Sequence, residues 1–228
     1  MHLHKGGFVI IPGLSAANAP ASIYPVGSVF CTSVATAVVD VTNPTTGKTW
    51  MDRNLGASQA ATSTTDEASY GDLYQWGRAS DGHQCRTSAT TYTLSSVDQT
   101  ANGYFILAPN SPYDWLSPQN DNLWQGANGV NNPCPNGYRL PTEIELDSER
   151  SSWSSNNTSG AFASPLKLPM AGYRVWNNGS FENVGSSLNY WSSSVSSPNS
   201  RFLGQDSITA IMYAGYRTGG LSVRCIKD

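Results

Sequence analysis

The 228 residues suit one large domain or two small ones. Charged residues are only 13% of the chain against a usual share of about 25%, while Gly (21), Pro (13), Trp (7) and Tyr (11) are plentiful. That argues against a helical bundle and against simple disorder, and a net charge of −3 without a basic stripe argues against a nucleic-acid partner.

Residues 1–30 are small, apolar and punctuated by proline, and read as an N-terminal arm or assembly segment. The triplet Ala17-Asn18-Ala19 faintly resembles a signal-peptide cleavage site, but Pro12 and Gly13 interrupt the apolar stretch, so retention is expected. No stretch is long and apolar enough for a membrane helix. Residues 31–228 are expected to form the domain. Residues 36–43 alternate as a strand, Asn43-Pro44-Thr45-Thr46-Gly47 is a turn, and Lys48–Met51 begins a second strand, making a hairpin. Tyr70–Arg78 is aromatic and buried on one side. The stretch 86–133 is long and polar, and Tyr104, Phe105, Trp115 and Trp124 within it mark an ordered excursion that packs through its rings. Thr142 follows Pro141 and precedes Glu145 by three, a capping-box start for a helix with Ile144 and Leu146 toward the core. Short strands are expected beyond Ser164, ending in Leu221–Cys225.

The four cysteines, Cys31, Cys85, Cys134 and Cys225, are far apart and form no CxxC pair, which excludes a zinc ribbon or thioredoxin-like motif. They can be buried thiols or form two bridges. The favoured bridge is Cys134–Cys225, which would tie the start of the helical region to the terminal strand.

Catalytic chemistry is poorly served. His83 has no nucleophile or orienting partner in view, and the chain lacks a Gly-x-Ser-x-Gly elbow. Glu143, Glu145, Asp147 and Glu149 read as a solvated helix face that complements the dipole. Asp52, Asp72, Asp81 and Asp121 are candidate oxygen ligands for structural calcium, without EF-hand spacing, and no other cofactor is expected. Arg139 and Arg224 are expected to pair with a carboxylate such as Asp52 or Asp72. Trp50, Trp76 and Trp191 are expected in the core and Trp176, among asparagines, at the surface.

The last third alternates between fixed-looking pieces (LPMAGYR, GSFENVGS, YWSSS, GLSVRC) and pieces without pattern: Val175-Trp176, Ser187-Leu188-Asn189, Arg201-Phe202 and Met212–Tyr216. Trp, Tyr, Phe, Arg, Ser and Asn gathered in polar loops are the residue types of binding surfaces.

Four longer segments carry a resemblance: GKTWMDRNLGAS (47–58), YGDLYQWGRASDGHQ (70–84), SPYDWLSPQNDNLWQGANGVNNPCPNGYRLPTEIEL (111–146) and GLSVRCIKD (220–228). They resemble the Fibrobacter succinogenes major paralogous domain, from about Cys31 to the end. The resemblance implies an α+β, C-type-lectin-like fold: small antiparallel sheets, one or two helices and extensive ordered loops. The C-terminal segment is similar, more narrowly, to the variable proteins of diversity-generating retroelements. This implies a fixed frame of Gly172-Tyr173-Arg174, Tyr190-Trp191-Ser192-Ser193, Arg217, Gly220 and Ser222–Cys225 within a variable region of about 172–225. The variable, ligand-binding positions would be Val175, Trp176, Ser187, Leu188, Asn189, Val195, Arg201, Phe202, Gly204, Asp206, Tyr213, Ala214, Gly215 and Tyr216. The expected function is a non-enzymatic, ligand-binding display protein of receptor-binding or adhesin type. It would meet a surface protein or other macromolecule of a host or target cell, from a virus tail tip or a cell surface, and homo-oligomers are compatible with this. Trp176-Asn177-Asn178 and Ser197-Pro198-Asn199 depart from the motifs of calcium-dependent sugar binding. The rivals are a non-variable structural module of the same fold and an enzyme of the formylglycine-generating type.

Overall fold

The computed structural model describes residues 23–100, 102–205 and 208–228. Most of the expected N-terminal arm, with its Ala17–Ala19 triplet, and the candidate Asp206 lie outside the described residues. Among the described residues the architecture is α+β: small, mostly antiparallel sheets, two short α-helices, and long ordered loops between them. No helix there is long and apolar enough to cross a membrane.

The chain enters through Tyr24 and Phe30, which pack edge-to-face on the core with centroids 5.1 Å apart. Strands β1 (Asp40–Thr42) and β2 (Thr49–Met51) form the expected antiparallel hairpin. Its turn is held by Asn43, whose side-chain oxygen accepts from the Thr45 N–H while its carbonyl accepts from the Gly47 N–H. Strand β3 is only Tyr74–Gln75, and the surrounding aromatic stretch is buried in turns. The polar excursion carries β4 (Thr90–Thr91) and β5 (Phe105–Ile106), paired in parallel. As expected it packs through rings: Trp115 and Trp124 are fully buried, donating to the Trp76 carbonyl and to the Arg78 and Asn131 carbonyls respectively. Tyr104 instead stands in solvent.

Strand β6 (Tyr138–Arg139) leads into helix α1 (Glu143–Ser151), which begins at Thr142 with both halves of the capping box formed. The buried positions of α1 are Leu146 and Glu149, and Ile144 is 77% exposed. The expectation for Ile144 is corrected by geometry: residues two apart lie on nearly opposite sides of a helix, whereas 146 and 149 share a face. Its acidic face is also not simply solvated. Glu143 pairs with Arg201, Glu145 with Arg139, and Asp147 with Arg150; Glu149 is buried, accepting from Asn43 and the Trp153 indole. After α2 (Thr158–Ala163) come β7 (Tyr173–Arg174), β8 (Phe181–Glu182), β9 (Asn189–Ser196), β10 (Asn199–Gln205), β11 (Ala210–Gly215), β12 (Gly220–Leu221) and β13 (Ile226–Lys227).

The terminal segment joins nearly everything. Strand β12 pairs with β3 and β7, the next residue, Ser222, exchanges backbone bonds with β9, and β13 pairs with β2 and β6. Arg224, 1% exposed, donates to Asn54 Oδ1 and to the carbonyls of Leu166 and Met51. The carboxylate partner expected for it is absent: Asn54 and carbonyls satisfy its donors instead, and the half-buried Arg139 takes Glu145 and Asp228. The expected Cys134–Cys225 bridge is formed, and Cys31–Cys85 is formed as well. Two clusters make the core. One centres on Trp76, Trp115, Trp124 and Trp191, the other on Trp50, Leu146, Tyr190 and Leu203.

Three measurements check this frame. The Cys134–Cys225 loop spans 91 residues, so the double variant Cys134→Ala/Cys225→Ala should lose about 4–5 kcal/mol in urea unfolding. Burial alone would raise the Glu145 carboxyl, but the Arg139 fork and Thr142 outweigh it and hold it at about 2, below its ordinary 4.5. That stability is present above 4.5 and lost as pH falls toward 2, so Glu145→Gln should flatten the acid limb of a pH–stability curve. Asp72 behaves oppositely. Burial pushes it up from 3.8 to about 7, against a smaller lowering by Arg86, so stability declines as pH rises through that window. Asp72→Asn should therefore raise the urea midpoint at about pH 8.

Candidate functional site

Strands β9, β10 and β11 form one antiparallel sheet in the order β11-β10-β9. The strand period of two sends Tyr190 and Leu203, paired across β9 and β10, to the cluster of Trp50 and Leu146, with Met212 of β11 packed against it. The alternate residues, Trp191, Phe202 and Tyr213, lie in register on the other face. There the Phe202 ring meets Trp191 edge-on at 5.7 Å and stacks on Tyr213 at 5.5 Å. Trp191 is anchored by donating to the Tyr74 carbonyl at 2.8 Å.

Beyond Phe202 a cleft of about 320 Å³ opens between this sheet and the β7–β12 edge. Tyr173, Arg174 and Trp176 line it from one side, Trp191, Asn199 and Phe202 from the other, with Ala214, Gly215, Tyr216, Gly219 and Leu221 completing it. At its margin three rings lock together: Tyr113–Trp176 at 5.0 Å, Tyr113–Tyr216 at 4.2 Å and Trp176–Tyr216 at 5.0 Å. Arg174 braces the β7–β8 hairpin by donating to the Gly179 carbonyl and to Ser88, with its guanidinium 4.3 Å over Phe105. Burial without a carboxylate partner lowers it to about 10, so it remains charged at neutral pH.

The structure divides the expected positions. Trp176, Phe202, Ala214, Gly215 and Tyr216 come together on the cleft, with Tyr213 directly behind Phe202. Val175 is half-buried in the hairpin turn, bonded through its backbone to Ser180 and Gly179. Trp176 is likewise half-buried rather than free, because Tyr113 and Tyr216 cover it. Val195 packs against the core margin. Arg201 turns away to Glu143 on α1 at 2.6 Å, next to a register shift between Ser200 and Phe202. Ser187, Leu188, Asn189 and Gly204 are corrected as solvent-facing candidates, since all four are buried. Leu188 is fully enclosed with Trp50 and Leu146, Asn189 donates to Ser187 within the fold, and Gly204 lies beneath the Phe202 ring. Tyr113 and Asn199 were not singled out as binding residues. Tyr113 has only the signal of an aromatic in a polar loop, and Asn199 only its place in Ser197-Pro198-Asn199, which departs from the sugar-binding motifs.

Other chemistry does not assemble. His83 is fully buried; burial is the largest influence and lowers it to about 4, its Nδ1 meets Asp81, and its Nε2 accepts the Gln75 N–H, so it is a neutral structural residue. The four aspartates considered for calcium do not converge. Asp52 pairs with Arg53, Asp81 with Arg78 and His83, and Asp121 with Arg217. Among the described residues no group of three or more His, Cys, Asp or Glu side chains is placed to hold a metal ion. No family model, curated protein or solved structure matches the chain.

The division into packed and cleft positions is measurable. Leu188→Ala should cost about 2–5 kcal/mol in urea unfolding, whereas the exposed Ala214→Ser should stay within about 0.5 kcal/mol of wild type.

Proposed function

We propose that this chain is a ligand-binding display protein, a variable protein of the diversity-generating retroelement type on a C-type-lectin-like frame. One observation carries the reading. Positions that the sequence pattern marks as interchangeable, Trp176, Phe202, Ala214, Gly215 and Tyr216, meet on one aromatic cleft, while the intervening frame residues Tyr190, Trp191 and Ser222–Cys225 are buried. Side chains on such a rim can change without unmaking the core beneath. Rigid aromatics supply contact area at low entropic cost, and few of them dominate an interface.

The partner is a surface protein or other macromolecule of a host or target cell, met from a virus tail tip or cell surface. Two disulfides support an oxidising, extracellular setting. A formylglycine-generating-type enzyme would call for a reactive thiol, and all four cysteines are paired.

Sequencing the gene across a population tests the reading. Substitutions should cluster at the five cleft positions and spare Trp191 and Leu188; uniform or absent variation would instead indicate a fixed structural module. In a cell-adhesion assay, alanine at a true anchor among Trp176, Phe202, Tyr213 and Tyr216 should weaken binding by about 2 kcal/mol or more. Unchanged binding with all four replaced would place the ligand surface elsewhere.

A further inference from the structure

We propose that the Cys31–Cys85 bridge is a site of covalent thiol exchange, in which a small thiol attacks Cys31 Sγ and Asp72 serves as the general base. The site is independent of the reading of the cleft as a ligand surface.

The two bridges stand in opposite surroundings. Cys134 and Cys225 are 1% and 0% exposed, so that bridge is closed to solvent. Cys31 is exposed and Cys85 half-buried. Cys31 also lines a pocket of about 310 Å³ together with Gly56, Glu67, Asp72 and Arg86. Glu67 and Arg86 carry opposite charges on its walls, so neither an anionic nor a cationic thiol is favoured.

Asp72 is the second observation. It is 7% exposed, and among the described residues its carboxyl makes one contact at hydrogen-bond distance, Oδ2 to Cys31 Sγ at 3.2 Å. A bridged sulphur has no proton to donate, so the carboxylate is buried without a donor, an arrangement that costs stability. Gly56 makes it possible: a Cβ there would lie 2.3 Å from Asp72 Cγ, so only bare backbone leaves the carboxyl its room against the bridge. Burial pushes the carboxyl up to about 7, and Arg86 is the charged group that opposes this. Arg86 is itself held by the Gly71 and Ala171 carbonyls, and Tyr74, which also feels Asp72, is kept neutral by burial. A carboxyl titrating there is half ionised near neutral pH and is matched to a thiol proton.

The thiol proton passes to Asp72 Oδ2 as the incoming sulphur bonds to Cys31 Sγ. The bond between Cys31 and Cys85 breaks, its electron pair leaves on Cys85 as thiolate, and Asp72 returns the proton to Cys85 through solvent. The incoming sulphur is oxidised to the disulfide level and Cys85 is reduced, so the thiol is the only co-reactant. The product is a mixed disulfide on Cys31 and a free thiol on Cys85.

2-Mercaptoethanol is the probe, incubated with the intact protein near neutral pH, quenched with N-ethylmaleimide and mapped by peptide mass spectrometry. The probe is expected on Cys31 and the maleimide on Cys85, with Cys134–Cys225 intact. Asp72→Asn keeps the shape of the side chain and should slow the opening about tenfold. The wild-type rate should inflect at about 7, whereas the variant should follow only the ionisation of the probe. If Asp72 merely packs, removing its negative charge speeds thiolate attack instead. In urea, where bridge and carboxyl are separated, both chains should open at the same rate. A probe adduct on Cys85, equal opening of both bridges in the folded protein, an Asp72→Asn rate equal to or above wild type, or slowing that persists in urea would overturn the proposal.

Discussion

The terminal segment Gly220–Lys227 is the constraint on which the rest of the molecule hangs. It runs through the interior, contributing to the β3–β12–β7 sheet, the β9 ladder and the β2–β13–β6 sheet within a few residues. Its backbone groups are satisfied by distant parts of the chain, and its side chains from Leu221 to Ile226 are all buried. Arg224 stays charged there because Asn54 and two carbonyls surround the guanidinium with acceptors. Cys225 fastens the same segment to Cys134. A fold with such short sheets has little local cooperativity, so a seam that closes several of them together matters more than any single strand.

The seam also explains why the cleft can exist. Gly219 and Leu221 line it, and the Ser222 bridge to Tyr190 fixes β9, hence Trp191, against it. Trp191 is held from behind by the Tyr74 carbonyl, so its outer edge is a fixed surface against which Phe202 rests. Rigidity of this kind is what a recognition surface needs, because side chains ordered in advance lose less freedom on binding.

The two faces of the β9–β11 sheet have different liberties. On the inner face Tyr190, Leu203 and Leu188 fill a cluster in which even small volume changes are felt. On the outer face Trp191 still belongs to the core, but Phe202 and Tyr213 touch one another at the margin, and exchanging either alters the cleft more than the core. Within that face, freedom is still conditional, since the Phe202 ring needs bare backbone at Gly204 and Gly215.

Much of the frame was legible from local sequence. The hairpin at Asn43–Gly47, the capping box at Thr142 and the buried tryptophans all showed in residue type and spacing, because turns, caps and apolar burial are set by near neighbours or by composition. The cysteines showed only that bridges were possible; which of them pair is a long-range outcome. What the pattern could not decide was which side of each strand faces inward. A run such as Ser187-Leu188-Asn189 looks as free as Ala214-Gly215-Tyr216, yet the first is buried beside Trp50 and the second rims the cleft. The pairing of Arg201 with Glu143, the enclosure of Arg224 by Asn54, and the arrival of Tyr113 and Asn199 at the cleft are long-range events. They depend on strand register and on how distant loops pack, and a one-residue change of register exchanges the two faces of a strand, so only the assembled tertiary structure determines them.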